Sequence, residues 1–208
     1  WGSRGMLAVH PVRAGPAGRG EAAHFAWPRG LLLVLGLLVL AGMLAEGGMY
    51  DWCALYLQQE LGQPADRAAW GYAAFSGAMA LARFAGDALR ERFAERRLLA
   101  AGAGMAALAM AVVLLAATPV VAFVGFVLVG AGLAPVAPVL FNAATRVPGI
   151  SRAAAIAAVT SIGYSGFLVG PPLIGGLAQA YSLTAALSVV VVAALLLALG
   201  ARRLPGKL

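Results

Sequence analysis

LLAAGAGMAALAMAVVLLAATPVVAFVGFVLVGAGLAPVAPVLFNAAT, residues 98–145, runs for 48 residues without one charged side chain. A helix rises about 1.5 Å per residue and crosses a hydrocarbon core of about 30 Å in roughly 20 residues, so this stretch holds two membrane spans and a turn. Thr118-Pro119 marks the turn. A second charge-free block, Ala153 to Ala201, has the same capacity and turns near Tyr181-Ser182. Reading outward from these two blocks gives spans at Leu31 to Tyr50, Ala68 to Gly86, Leu98 to Ala117, Val120 to Ala143, Ala153 to Leu177 and Leu183 to Gly200. The composition agrees: 62% of the 208 residues are hydrophobic and 11% charged, against about 25% charged in soluble domains. A soluble fold is excluded, as are disorder, which needs low hydrophobicity, and a collagen-like chain, because the 27 Gly show no three-residue period. The expected fold is all-α, a polytopic bundle of six transmembrane helices in a lipid bilayer.

The net charge of +7 would suggest nucleic acid in a soluble chain, but that reading needs the bases on one face or stripe. Here they sit in separate connections. Arg4, Arg13, Arg19 and Arg29 precede the first span, and Arg83, Arg90, Arg92, Arg96 and Arg97 surround the second connection. Arg146 and Arg152 flank the fourth connection, and Arg202, Arg203 and Lys207 follow the last span. Of the 15 bases only Arg67 falls on the opposite side, with Glu60 and Asp66. The positive-inside rule then places both ends and the even connections in the cytoplasm, on a bacterial inner membrane. Residues 1–28 read as a flexible cytoplasmic head, 29–203 as the bundle and 204–208 as a cytoplasmic tail. A signal peptide is the alternative for the first apolar stretch, disfavoured because that stretch outruns a typical h-region.

Catalysis finds little support. Cys53 is the single cysteine and His10 and His24 both lie in the head, so no metal-ligand spacing, nucleophile–base arrangement or cofactor motif occurs in the spans. What the spans do hold is a few polar groups. Glu46 lies 15 residues beyond Leu31, about 22 Å along a helix, inside the membrane core. A charge at that depth marks a pathway or a paired site by default. Gly47 and Gly48 follow it, where a helix could open, and Glu46, Tyr50 and Asp51 are therefore expected to line a cavity. The alternative is a span that ends near Ala45, with Glu46 in the headgroup zone and Tyr50, Trp52 and Tyr56 as an aromatic belt. Glu46 and Asp51 stand about 140° apart on a helix and do not form a carboxylate pair.

In the fifth span Thr160, Ser161, Tyr164 and Ser165 gather on one helical face. These hydroxyls either meet a polar solute or bond across helices and back to the preceding turn. Gly166 and Gly170 offer a close-packing face, and Pro171, Pro172, Gly175 and Gly176 weaken the helix toward its outer end. The fourth span is similar, with Gly130, Gly132, Pro135 and Pro138.

The run from Arg83 through Gly86, Asp87, Arg90, Arg92, Arg96 and Arg97 resembles the conserved cytoplasmic loop of the major facilitator superfamily. Gly166 to Gly176 is similar to that superfamily's Gly-Pro motif, and Glu46 to Trp52 looks like the seventh helix of an uncharacterised bacterial branch. The resemblance covers about Pro28 to Arg203. It implies the C-terminal six-helix half of a twelve-helix secondary active transporter, built as two inverted three-helix repeats, Leu31 to Ala117 and Val120 to Gly200. It further implies a gating role for the loop, with Asp87 latched to a helix start in the other half. That partner is an N-terminal half, expected upstream because the chain opens at Trp1, or a second copy of the chain. The solute would be small, moved by alternating access and coupled to protons through Glu46. A truncated or non-transporting membrane scaffold is the alternative.

Overall fold

The computed structural model describes residues 30–204, so the head at 1–28 and residues 205–208 of the tail lie outside the described residues. The described chain is helical from end to end. Its elements are α1 (Leu31–Gln59), α2 (Ala65–Phe84), α3 (Gly86–Arg92), α4 (Glu95–Ala116), α5 (Pro119–Leu133), α6 (Val136–Thr145), α7 (Arg152–Ala180), α8 (Leu183–Ala186) and α9 (Ser188–Arg203). They group into six legs: Ala85, Ala134-Pro135 and Leu187 keep right-handed helical dihedrals between α2 and α3, α5 and α6, and α8 and α9, whereas the joints at Phe93-Ala94, Ala117-Thr118 and Tyr181-Ser182 leave that region. Five legs are long and apolar enough to cross a membrane: Leu31–Gln59, Glu95–Ala116, Pro119–Thr145, Arg152–Ala180 and Leu183–Arg202. The leg outside that set is α2, which carries Asp66, Arg67 and Arg83, yet it packs along α1 and α5 inside the bundle.

Two expectations need correction. α1 runs unbroken for 29 residues, so the chain neither opens at Gly47-Gly48 nor ends near Ala45. The two glycines serve packing instead: a Cβ at Gly47 would meet the Phe167 ring and one at Gly48 the Ile174 side chain. The second connection is mostly helix, since α3 takes Gly86, Asp87, Arg90 and Arg92, and α4 takes Arg96 and Arg97. Only Phe93 and Ala94 remain between them. The fourth leg breaks at Ala134 and Pro135, where Pro135 and Pro138 lack the N–H groups that the carbonyls of Ala131 and Ala134 would accept. By contrast α7 continues through Pro171 and Pro172.

Local chemistry sets the ends. Ala117 turns into the left-handed region at φ 47°, Thr118 extends, and Pro119 opens α5, a position where its missing N–H costs nothing. The Ser151 hydroxyl accepts from the Ala154 N–H and the Ser182 hydroxyl from the Ala185 N–H, so each caps a helix start. The Glu60 carboxylate accepts from the Leu183 N–H at 3.0 Å and the Thr184 hydroxyl at 2.8 Å, tying the end of α1 to α8. At the other end Glu95 accepts from Asn142 at 2.8 Å and pairs with Arg146 at 3.5 Å, joining α4 to α6.

Small residues let the legs approach. α1 packs most extensively on α7, α2 on α5, and α4 on both α9 and α5. A Cβ at Gly166 would lie 2.5 Å from the Leu40 carbonyl oxygen, and one at Gly130 would collide with the Phe75 carbonyl. Gly102 and Gly132 face each other's backbone across α4 and α5 in the same way. Outside, Phe84, Leu115 and Leu168 are 87%, 86% and 79% exposed. An apolar exterior of this extent suits lipid or a further protein surface rather than water.

Candidate functional site

Glu46 is the 16th residue of the 29 in α1, so it lies about 22 Å from one helix end and about 20 Å from the other. The residue is 7% exposed, and it is the buried charged residue among those described. Arg83 reaches it from the last turn of α2. Its Nη2 donates to both carboxylate oxygens, at 3.0 Å to Oε1 and 3.1 Å to Oε2.

An ion in an apolar interior costs several kcal/mol even after relaxation, and a close, hydrogen-bonded counterion offsets much of it. The environment is asymmetric. The Glu46 side chain is 10% exposed and that of Arg83 42%. Among the described residues Arg83 makes no other hydrogen bond, so its Nη1 and Nε remain uncommitted. One turn beyond Glu46, the Tyr50 hydroxyl donates to the Met79 sulfur at 3.7 Å, while its ring meets Phe75 edge-on at 5.1 Å and Tyr72 at 5.7 Å. This aromatic cluster closes α1 against α2 above the pair.

The structure thus unites Glu46, Tyr50 and Arg83. Asp51 is exposed on α1 and stands apart. Within the hydroxyl stripe of α7, Ser161 donates to the Ala157 carbonyl at 2.8 Å and Ser165 to the Ile162 carbonyl at 2.6 Å. Bonding back within the helix therefore accounts for these two hydroxyls, while Thr160 is half-buried. Tyr164, 55% exposed, meets Phe167 ring to ring at 6.0 Å in a tilted arrangement, and the Phe167 ring covers Gly47. That contact is the link between the stripe and the acid. Gly166 and Gly170 line the α1 contact, and Gly175 receives the edge of Trp52, which is half-buried and not only an interfacial ring. Of the loop residues, Arg92, Arg96 and Arg97 are exposed. The Asp87 side chain lies outside what the structure describes.

The pairing of Glu46 with Arg83 was not foreseen. By sequence Arg83 groups with the cytoplasmic loop, although it precedes Gly86 by nearly a turn in an otherwise apolar span. The usable signal was that a charge at depth calls for an opposite partner at depth, and Glu46 offers one.

A bundle of membrane-length helices with a buried acid midway along α1, paired with an arginine from α2, defines a polytopic membrane protein with a charged group in its interior. The chain belongs to the Major Facilitator Superfamily, whose family model matches residues 34–207, a family of transporters rather than enzymes. It is 36% identical over 178 residues to an uncharacterised MFS-type transporter of Yersinia pestis, covering 86% of this chain and 46% of that one. It is 33% identical over 168 residues to the membrane protein MosC of Rhizobium meliloti, covering 80% and 41%. The chain therefore spans about half the length of the curated relatives it matches. The fold is also that of the Escherichia coli fucose:proton symporter FucP, with a TM-score of 0.74 at 20% identity over 82% of this chain and 42% of that one.

Proposed function

We propose that the chain works as the C-terminal half of a twelve-helix secondary active transporter, moving a small solute by alternating access with Glu46 carrying a coupled proton. The observation behind this is the Glu46–Arg83 pair, in which a buried carboxylate midway along α1 meets a partly exposed guanidinium from the last turn of α2. One proton decides whether that pair exists. With Glu46 ionised, Arg83 pins α2 to α1. With Glu46 protonated the attraction between opposite charges is lost, and the exposed guanidinium is free to pair with another anion or with water. Two electrostatic states of one contact are what a rocking bundle needs to couple an ion to a change of packing. Charge and polarity around Glu46 come from Arg83 on α2 and the Tyr50 phenol on α1.

Other features support the larger frame. α1 packs on α7 as α5 packs on α2, the exchange expected if α1 to α4 and α5 to α9 are inverted repeats. The basic connections favour cytoplasmic placement of the ends of the bundle in a bacterial plasma membrane. A remaining half, either an N-terminal six-helix unit or a second copy, would complete the cavity. Glu46→Gln in the whole transporter should abolish proton-driven accumulation of solute while leaving solute exchange in proteoliposomes intact. Undiminished accumulation by this variant would refute proton coupling through Glu46, and absence of any flux from the wild type would favour a non-transporting scaffold.

A further inference from the structure

Two apolar hollows lie in line along the seam between α4 and α5–α6. The first, of 470 Å³, is walled by α2–α3, α4 and α5–α6. The second, of 350 Å³, continues between α4 and α5, and Met105 borders both. On the α4 side the common wall is Leu98, Ala101, Met105, Leu108 and Val112. On the α5–α6 side Val124, Leu128, Ala131 and Pro135 run opposite. Spacings of three and four residues keep each row on one helical face. From Leu98 to Val112 is about 21 Å of helix, longer than one leaflet of a hydrocarbon core about 30 Å thick. Arg83 and Arg90 border the first hollow from α2–α3, whereas the lining of the second carries no charged residue.

We infer that this seam is a binding groove for one acyl chain of a membrane lipid, seated lengthwise between α4 and α5–α6. Its rims are exposed aliphatic side chains, Leu108 and Val112 on one side and Val124 and Leu128 on the other. Both legs are of membrane length, so the groove opens onto hydrocarbon. A further transmembrane helix would need small residues on those rims to approach closely. The glycines of this seam are already taken up by the contact of α4 with α5, since Gly102 and Gly132 face each other's backbone and Gly125 faces Val113. A methylene chain needs no such approach. It bends to follow the floor, where the flexible Met105 side chain adapts to it. Left empty, the hollows would forfeit dispersion contacts along both rows, so a chain seated there is held more firmly than those passing over the rims. It also rests against Ala134 and Pro135, which line the first hollow, and braces the leg where its helix is broken. The assignment needs the membrane setting alone and uses neither the lipid headgroup nor transport.

The probe is phosphatidylcholine carrying a diazirine midway along a palmitoyl chain, photolysed with the purified whole protein in nanodiscs of dioleoyl phosphatidylcholine. Peptide mass spectrometry locates the adducts. They should favour Met105, Leu108 and Val124 over Val192 and Leu196 by about fivefold, although these two residues, midway along α9, are comparably exposed. Met105→Trp, which plugs the junction of the hollows, and Ala101→Phe, which fills the first from an exposed position, should remove that preference and leave the α9 adducts unchanged. In detergent, added dioleoyl phosphatidylcholine should raise the melting temperature of the wild type more than that of Met105→Trp. Adducts that follow exposure alone, equal on α4 and α9, would mean annular lipid only and overturn the proposal. So would a groove protected from the probe, which would indicate a protein segment lying over it, or a preference that survives both substitutions. Should either variant fail to fold, the wild-type ratio of α4 to α9 adducts decides.

Discussion

Glu46 and Arg83 are unequal partners. The acid is enclosed and the base half open to its surroundings, so removing the base strands a buried carboxylate while removing the acid leaves a guanidinium that other groups can solvate. Loss of one member of a buried pair costs about 3 to 5 kcal/mol, whereas replacing both by neutral groups of similar size is often near neutral. Arg83→Ala is therefore expected to destabilise the protein by about 3 kcal/mol, toward the low end because Arg83 is partly exposed. Glu46→Gln combined with Arg83→Gln should recover most of that loss. Thermal unfolding in detergent reads the difference, and equal losses in the single and double variants would disprove the coupling. The depth of Glu46 was legible from its distance along the chain. Its partner was not, because 37 residues and a hairpin separate the two, and only the antiparallel register of α1 and α2 brings them face to face.

At the scale of elements, local composition and tertiary context compete, and context decides where helices break. Gly47-Gly48 and Pro171-Pro172 both read as weak points, yet α1 and α7 run through them. These are the two helices that pack most extensively on each other. In that interface a missing Cβ is an asset, because it brings one backbone onto another. In the α5–α6 leg Pro135 and Pro138 are three residues apart, two acceptors lose their donors within one turn, and the helix does break. Gly166→Ala is accordingly expected to force α1 and α7 apart and cost about 1 to 3 kcal/mol, since its Cβ would sit 2.5 Å from the Leu40 carbonyl oxygen. Gly176→Ala, with nothing within 4 Å of the added atom, should be neutral or slightly stabilising. A common melting temperature for the two variants would show that close backbone approach is not what Gly166 provides.

For the molecule as a whole, two polar ties hold opposite ends of the bundle. Glu95 joins α4 to α6 at the end rich in arginine, and Glu60 joins α1 to α8 at the other. Cysteines placed near these ends test the orientation. With Cys53→Ser removing the buried thiol, Asp66→Cys should react with an impermeant maleimide in intact cells, and Pro148→Cys only after permeabilisation. Both positions are exposed, and the opposite labelling pattern would invert the proposed topology. The sequence by itself determined the class of the molecule: an all-α membrane bundle follows from apolar stretches about 20 residues long, because in lipid a segment must satisfy its backbone polar groups within itself unless its strands close into a barrel. Tertiary structure alone decided that Arg83 reaches Glu46 from a partly exposed position, that the second connection is largely helix, and that Leu98, Ala101 and Met105 line a cavity behind α2. Each of these depends on how two legs are registered and rotated against each other. That information resides in contacts between residues far apart in the chain, where small glycine-sized gaps set distance and one ion pair sets alignment.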